Sequence, residues 1–271
     1  MSNFLQRVIT GLLFVIIIIG SIWVHPLAYA AVFLLVAGLA MKELKTMLEQ
    51  NNGKLSMLPS LLLGTTTYLL IFFQQYYHMA TKWMLLLIPL VWLPFVLTLF
   101  SKKEYPFRVI GMQLLIPLYA AIPFAFLHFM AFINNTYDPR LLIAFFVMVW
   151  INDSGAYLVG VNFGKRRLFE RISPKKSWEG FIGGIFFTIV AAVFLQQWVQ
   201  IGSVFLWGVV GAVIAVFGTV GDLVESMLKR NVNIKDSGSV LPGHGGILDR
   251  FDGVLFTAPL VCLLFYLFAN F

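Results

Sequence analysis

The stretch SVFLWGVVGAVIAVFGTVGDLVESML, Ser203 to Leu228, is apolar for most of its length and turns acidic at its end. A membrane-spanning helix needs about 20 mostly apolar residues, because each rises about 1.5 Å across a hydrocarbon core of about 30 Å. This stretch meets that requirement. Eight others share its character, at about 8–24, 27–44, 57–75, 83–100, 108–133, 141–160, 179–198 and 251–270. Of the 271 residues, 60% are hydrophobic and only 11% charged, where a soluble domain carries roughly 25% charged residues. Such a chain cannot cover a water-facing surface. The expected fold is therefore all-α, a polytopic integral membrane protein of about nine transmembrane helices, with residues 1–271 forming one domain.

The formal net charge of +7 does not point to nucleic acid, because the chain has no soluble basic face. Its distribution says more. With nine spans, all basic residues except Lys82 and Arg140 fall on one side, and the positive-inside rule makes that side cytoplasmic. The Lys42–Lys54 and Lys102–Arg108 groups need no other role than setting topology. Localisation in the cell (cytoplasmic) membrane, with the chemistry on the cytoplasmic side, follows from the same asymmetry. Arg7, the apolar run and HPLAYA have the outline of a signal peptide. However, Val8–Val24 exceeds the usual 7–15-residue core, which favours a retained helix. The single Cys262 excludes an internal disulfide and a site built on several thiolates.

Charge inside an apolar chain marks function, and here it gathers in residues 150–253. Asp153 in VWINDSGAYLVG lies 13 residues beyond Arg140, about 20 Å along a helix, in the cytoplasmic half of the membrane. Asp222, Glu225, Ser226 and Lys229 follow i, i+3, i+4, i+7 spacing and share one helical face. That face suits a cation together with an anionic ligand, or simply a Glu225–Lys229 ion pair. In GKRRLFERISPKKSWEG, Ser173, Lys175, Lys176 and Ser177 precede a helix opening at Trp178, and a helix N-terminus beside lysines is a good phosphate seat.

The densest window is SMLKRNVNIKDSGSVLPGHGGILDRFDG, Ser226 to Gly253. Its Gly245 and Gly246 permit a backbone that turns N–H groups toward an anion, and Lys229, Arg230, Lys235 and Arg250 surround them. Asp249 and Asp252 open the last apolar run, and N-capping accounts for only one of them. A carboxylate pair beside phosphate-compatible donors fits Mg²⁺. A lone His244 is more often a hydrogen-bonding residue than a metal ligand.

This window closely resembles the signature of the phosphatidate cytidylyltransferases, S-x-x-K-R-x4-K-D-x-G-x2-[LIF]-P-x-H-G-G-x-x-D-R-x-D, with every fixed position present from Ser226 to Asp252. NDSGAYLVG and SPKKSWEG resemble that family's second conserved region. The N-terminal half resembles it only in hydropathy. The resemblance implies that CTP and phosphatidate, a membrane lipid, give CDP-diacylglycerol and pyrophosphate with Mg²⁺, leaving one or two cations open. It makes Asp222 and Asp249 the first-choice metal ligands, followed by Asp153, Glu225 and Asp252. Lys229, Arg230, Lys235, Asp236, His244 and Arg250 join the catalytic set, with Asp153, Ser173, Lys175, Lys176, Ser226, Gly245 and Gly246 contacting substrate. A secondary transporter would also bury charge near the midplane, but has little use for PGHGG and two basic loops on one side. A CDP-alcohol phosphotransferase would need a D-G-x2-A-R pattern, and Asp252-Gly253 is followed by VLFTAPL instead.

Overall fold

The computed structural model describes residues 3–238, 240 and 245–269, with side chains from residue 8 onward. The chain is nearly all helix: α1 Asn3–Val24, α2 Pro26–Asn52, α3 Leu58–Tyr77, α4 Leu87–Leu99, α5 Pro106–Ala120, α6 Ile122–Ala131, α7 Pro139–Phe163, α8 Trp178–Val199, α9 Val204–Asn231 and α10 Leu248–Phe268. A 3₁₀ segment, Thr81–Leu86, leads into α4. Among the described residues seven stretches are long and apolar enough to cross a membrane, against the nine expected. Val8–Val24 is a shorter apolar helix, and α3 is diluted by Thr65, Thr66, Thr67, Gln74 and Gln75. The protein is a multi-pass membrane protein.

Prolines set several boundaries. His25 is extended and its ring accepts a hydrogen bond from Leu27 N–H, so α2 starts at Pro26, where a missing N–H is harmless. The expected span over 108–133 is divided at Ala121. Pro123 offers no N–H to continue α5, and its ring would meet the carbonyl four residues back. The charged loop after α7 also differs from expectation, forming an antiparallel hairpin of β1 Arg167–Phe169 and β2 Ser173–Ser177. The helix opens at Trp178 as expected, and Ser177 caps it, its hydroxyl accepting from Gly180 N–H. The Glu179 carboxylate accepts from Lys165 and Arg166 N–H, which fixes the hairpin's entry strand to the same helix end.

Helix pairs α7/α8, α8/α9 and α9/α10 pack closely along small residues. A Cβ at Gly180 would lie 2.7 Å from the Ala156 carbonyl, and one at Gly184 2.7 Å from Asn152 Oδ1. Small residues let helix backbones approach where lipid supplies no hydrophobic drive. At the α9/α10 crossing a Cβ on Gly221 would collide with the Asp252 carbonyl, so this glycine lets Asp222 and Asp252 come together. The other half of the molecule is an aromatic core. Phe251 of α10 packs edge-on against Phe14 of α1 at 5.5 Å and Phe124 of α6 at 5.2 Å. Buried Tyr29 of α2 places its hydroxyl 2.9 Å from His128 Nδ1 of α6.

Candidate active site

The four spaced residues of α9 do share a face. Ser226 Oγ donates to Asp222 Oδ1 at 3.2 Å, and Lys229 Nζ lies 2.5 Å from Glu225 Oε2. That i,i+4 pair exists, but it is only part of the arrangement, because Lys229 also donates to Asp249 Oδ1 of α10 at 2.6 Å. One ammonium thus joins two helices. The second Asp249 oxygen accepts from Ser237 N–H at 2.9 Å, Ser237 Oγ at 3.1 Å and Gly246 N–H at 2.8 Å. Asp249 lies within the first turn of α10 but is not its N-cap, a position held by Ile247.

Deeper along the same crossing, Asp222, Glu225 and Asp252 bring one carboxylate oxygen each within 4.8 Å of one another. Glu225 is 1% exposed, and neither of its oxygens receives a geometrically sound hydrogen bond, although Lys229 is in ion-pair range of one. Three carboxylates this close repel strongly in a low-dielectric setting unless positive charge or protons compensate. Lys176 of β2 supplies part of it, its Nζ lying 2.5 Å from Asp222 Oδ2. The oxygen-only donor set and the unsatisfied buried Glu225 fit a hard cation such as Mg²⁺.

Two cavities meet at this point, and Asp153 and Asp222 line both. The larger, about 510 Å³, lies among α7, the hairpin, α8 and α9 and is bordered by Lys175, Lys176, Arg167 and Tyr157. The smaller, about 360 Å³, is walled by Thr10 and Phe14 of α1 and by Trp150, Asp249, Arg250 and Asp252. Asp153 faces this junction with Asn152 Nδ2 3.4 Å from its Oδ1.

The remaining predicted residues are distributed unevenly. Ser173 begins β2, outside the lining of both cavities. Arg230, in the last turn of α9, donates to the Ile234 carbonyl and is exposed, as are Lys235 and Asp236 in the segment that follows the helix. None of these three lines either cavity. Gly245 has φ +81°, and a Cβ there would also lie 2.6 Å from Asp249 Oδ2, so glycine is required twice over. The glycine-loop N–H groups were expected to face a substrate phosphate. Those of Gly246, Ile247 and Leu248 instead face protein carboxylates, of Asp249 in the first case and Glu43 in the other two. His244 lies outside the described residues. Sequence reasoning missed Glu43, Ser237, Trp150 and Arg167. A signal existed for Glu43, an acid interrupting the apolar stripe Ala40, Leu44, Met47 at helical spacing.

The chain belongs to the cytidylyltransferase family, whose model matches residues 5–268, and is therefore an enzyme of the nucleotidyltransferase class. It is 35% identical over 272 residues, 99% of this chain and 100% of the relative, to the phosphatidate cytidylyltransferase of Bacillus subtilis (strain 168). It is 39% identical over 168 residues to that of Staphylococcus epidermidis (strain ATCC 12228 / FDA PCI 1200), and 38% identical over 169 residues to that of Staphylococcus aureus (strain COL). Each of these two alignments covers 62% of this chain and 63% of the relative.

Proposed function

We propose that this chain synthesises CDP-diacylglycerol, transferring the cytidylyl group of CTP to phosphatidate at the cytoplasmic face of the membrane and releasing pyrophosphate. The observation that carries this reading is the junction of two cavities at Asp222, where two anionic substrates can approach under shared positive charge. The larger cavity, with Lys175, Lys176 and Arg167, suits the triphosphate. The smaller, walled by Phe14 and Val15 of α1, suits a headgroup whose acyl chains remain in the bilayer.

An oxygen of the lipid phosphate attacks the CTP α-phosphorus in line. The new oxygen–phosphorus bond forms as the bond to the α,β-bridging oxygen breaks, and its electron pair leaves with pyrophosphate. The lipid phosphate is already ionised at neutral pH, so no general base is required. The work of the protein is positioning and charge neutralisation. Lys176 and Lys175 hold the triphosphate, and Arg250 at the second cavity attracts the incoming lipid phosphate. Lys229, fixed between Glu225 and Asp249, keeps α9 and α10 in register. Asp222, with Glu225 and Asp252, would hold Mg²⁺; Asp249, whose oxygens already meet Lys229, Ser237 and Gly246, would join them only by exchanging Lys229 for the cation. When bound, the cation would neutralise phosphate oxygens of the reacting groups.

The test is nucleotide choice by the purified full-length protein in detergent micelles containing phosphatidate. CTP with Mg²⁺ should release pyrophosphate, and EDTA should abolish it. Equal turnover with ATP or UTP would contradict the reading.

A further inference from the structure

Glu43 lies on α2, far in sequence from the two motif-bearing stretches in residues 150–253, yet it reaches the loop and helix that carry Asp249. It is 6% exposed and sits among buried Ala40, Met41, Leu44 and Met47. A carboxylate buried this deeply is costly unless donors meet it. Its Oε1 accepts from Ile247 N–H at 2.9 Å, and its Oε2 accepts from Leu248 N–H at 3.0 Å. These are the first N–H groups of α10, which has no side-chain N-cap of its own. A negative charge at a helix N-terminus is also favoured by the helix dipole.

The contact extends further. Ser237 Oγ lies 3.0 Å from Glu43 Oε2 and 3.1 Å from Asp249 Oδ2, so its single proton serves one carboxylate at a time. Beyond Asp249 stand Lys229 and Glu225. Two motif glycines make the seat: a Cβ at Gly238 would lie 2.5 Å from Glu43 Oε1, and one at Gly246 2.5 Å from Glu43 Oε2.

We infer that Glu43 is a positioning residue for nucleotidyl transfer: its carboxylate, borrowed from α2, caps α10 and through Ser237 fixes Asp249 and Lys229. This rests on the function proposed above. Gly238 and Gly246 are then required to admit a protein anion rather than a substrate phosphate.

The experiment compares full-length wild type, Glu43→Gln, Glu43→Asp and Ser237→Ala in CTP- and phosphatidate-dependent pyrophosphate release. Amide exchange at Ile247 and Leu248 is followed in parallel by mass spectrometry. Gln keeps the shape but turns an amide NH₂ toward backbone donors, so one cap is lost. Mispositioning near 1 Å costs roughly 10²-fold in rate, and kcat of Glu43→Gln should fall on that order. Its KM for CTP should stay within about twofold, since no substrate contact is removed. Exchange at Ile247 and Leu248 should accelerate about tenfold or more while α7 and α8 peptides are unchanged. Glu43→Asp, retaining the charge, should recover part of kcat. Should Glu43→Gln fail to purify, Ser237→Ala breaks the same link without uncapping α10, and should also lower kcat at unchanged KM. An undiminished kcat in whichever of these two variants purifies would overturn the inference. So would unaltered exchange in Glu43→Gln. A wild type inactive with CTP and phosphatidate would instead overturn the proposed function.

Discussion

Lys176 of β2 and Asp222 of α9 meet at 2.5 Å, tying the basic hairpin to the helix that carries the acids. Their side chains are 26% and 36% exposed, and ion pairs that open to water contribute only about 0–1 kcal/mol to stability. The pair is therefore worth little to the fold and matters through what it positions. Lys176→Met should leave the melting temperature in detergent nearly unchanged. Its kcat/KM for CTP should fall roughly 10²–10³-fold, the usual loss for a single electrostatic group acting on developing charge. A large loss of thermal stability with near-normal kinetics would reverse that assignment.

Asp249→Asn separates two roles. The amide oxygen of Asn can accept from Ser237 and Gly246 as Asp249 Oδ2 does. It does not carry the charge that faces Lys229 or a cation. The variant should insert and purify normally, lose roughly 10²–10³-fold in rate, and need more Mg²⁺ for half-maximal activity. An active enzyme with an unchanged Mg²⁺ response would remove Asp249 from the metal set.

Gly184→Ala tests the helix packing that positions Asp153. A Cβ there would lie 2.7 Å from Asn152 Oδ1 and 3.2 Å from both Ala156 Cβ and the Asn152 carbonyl. Overpacking a close interface costs about 1–3 kcal/mol. The expected result is a melting temperature lowered by roughly 2–10 °C. A variant as stable as wild type would mean that α7 and α8 can separate freely.

Much of this architecture is legible in the sequence, and the gaps have physical causes. Hydropathy finds the apolar part of α2 but not its final turns, because MKELKTMLEQNN (residues 41–52) is helical through an amphipathic face rather than through lipid contact. It cannot see the break at Ala121, where proline chemistry interrupts a run that stays apolar throughout. The 167–177 hairpin is too charged and too short to show strand alternation. Within the site, Asp222, Glu225 and Lys229 share a face because helical spacing dictates it. The arrival of Asp252 depends on how closely Gly221 lets α10 approach, and the role of Glu43 on a partner about 200 positions away. Neither distance is written in local sequence.

Topology gives a separate test. From the basic asymmetry the loops holding Lys175 and Val240 are expected in the cytoplasm and Lys82 on the opposite side, and all three residues are exposed. The native Cys262 is buried, so background labelling should be low. In intact cells a membrane-impermeant maleimide should modify Lys82→Cys and spare Lys175→Cys and Val240→Cys. Labelling of Val240→Cys from outside would invert the membrane orientation.

Attack of the lipid phosphate on the α-phosphorus of CTP fixes which phosphate of the nucleotide ends up in lipid, and labelled CTP reads this out. Purified protein is incubated with phosphatidate, Mg²⁺ and CTP carrying ³²P at either the α or the γ position. The α label should move into solvent-extractable lipid while the γ label remains in aqueous pyrophosphate. Transfer of γ label to lipid, or no lipid labelling from either nucleotide, would contradict it.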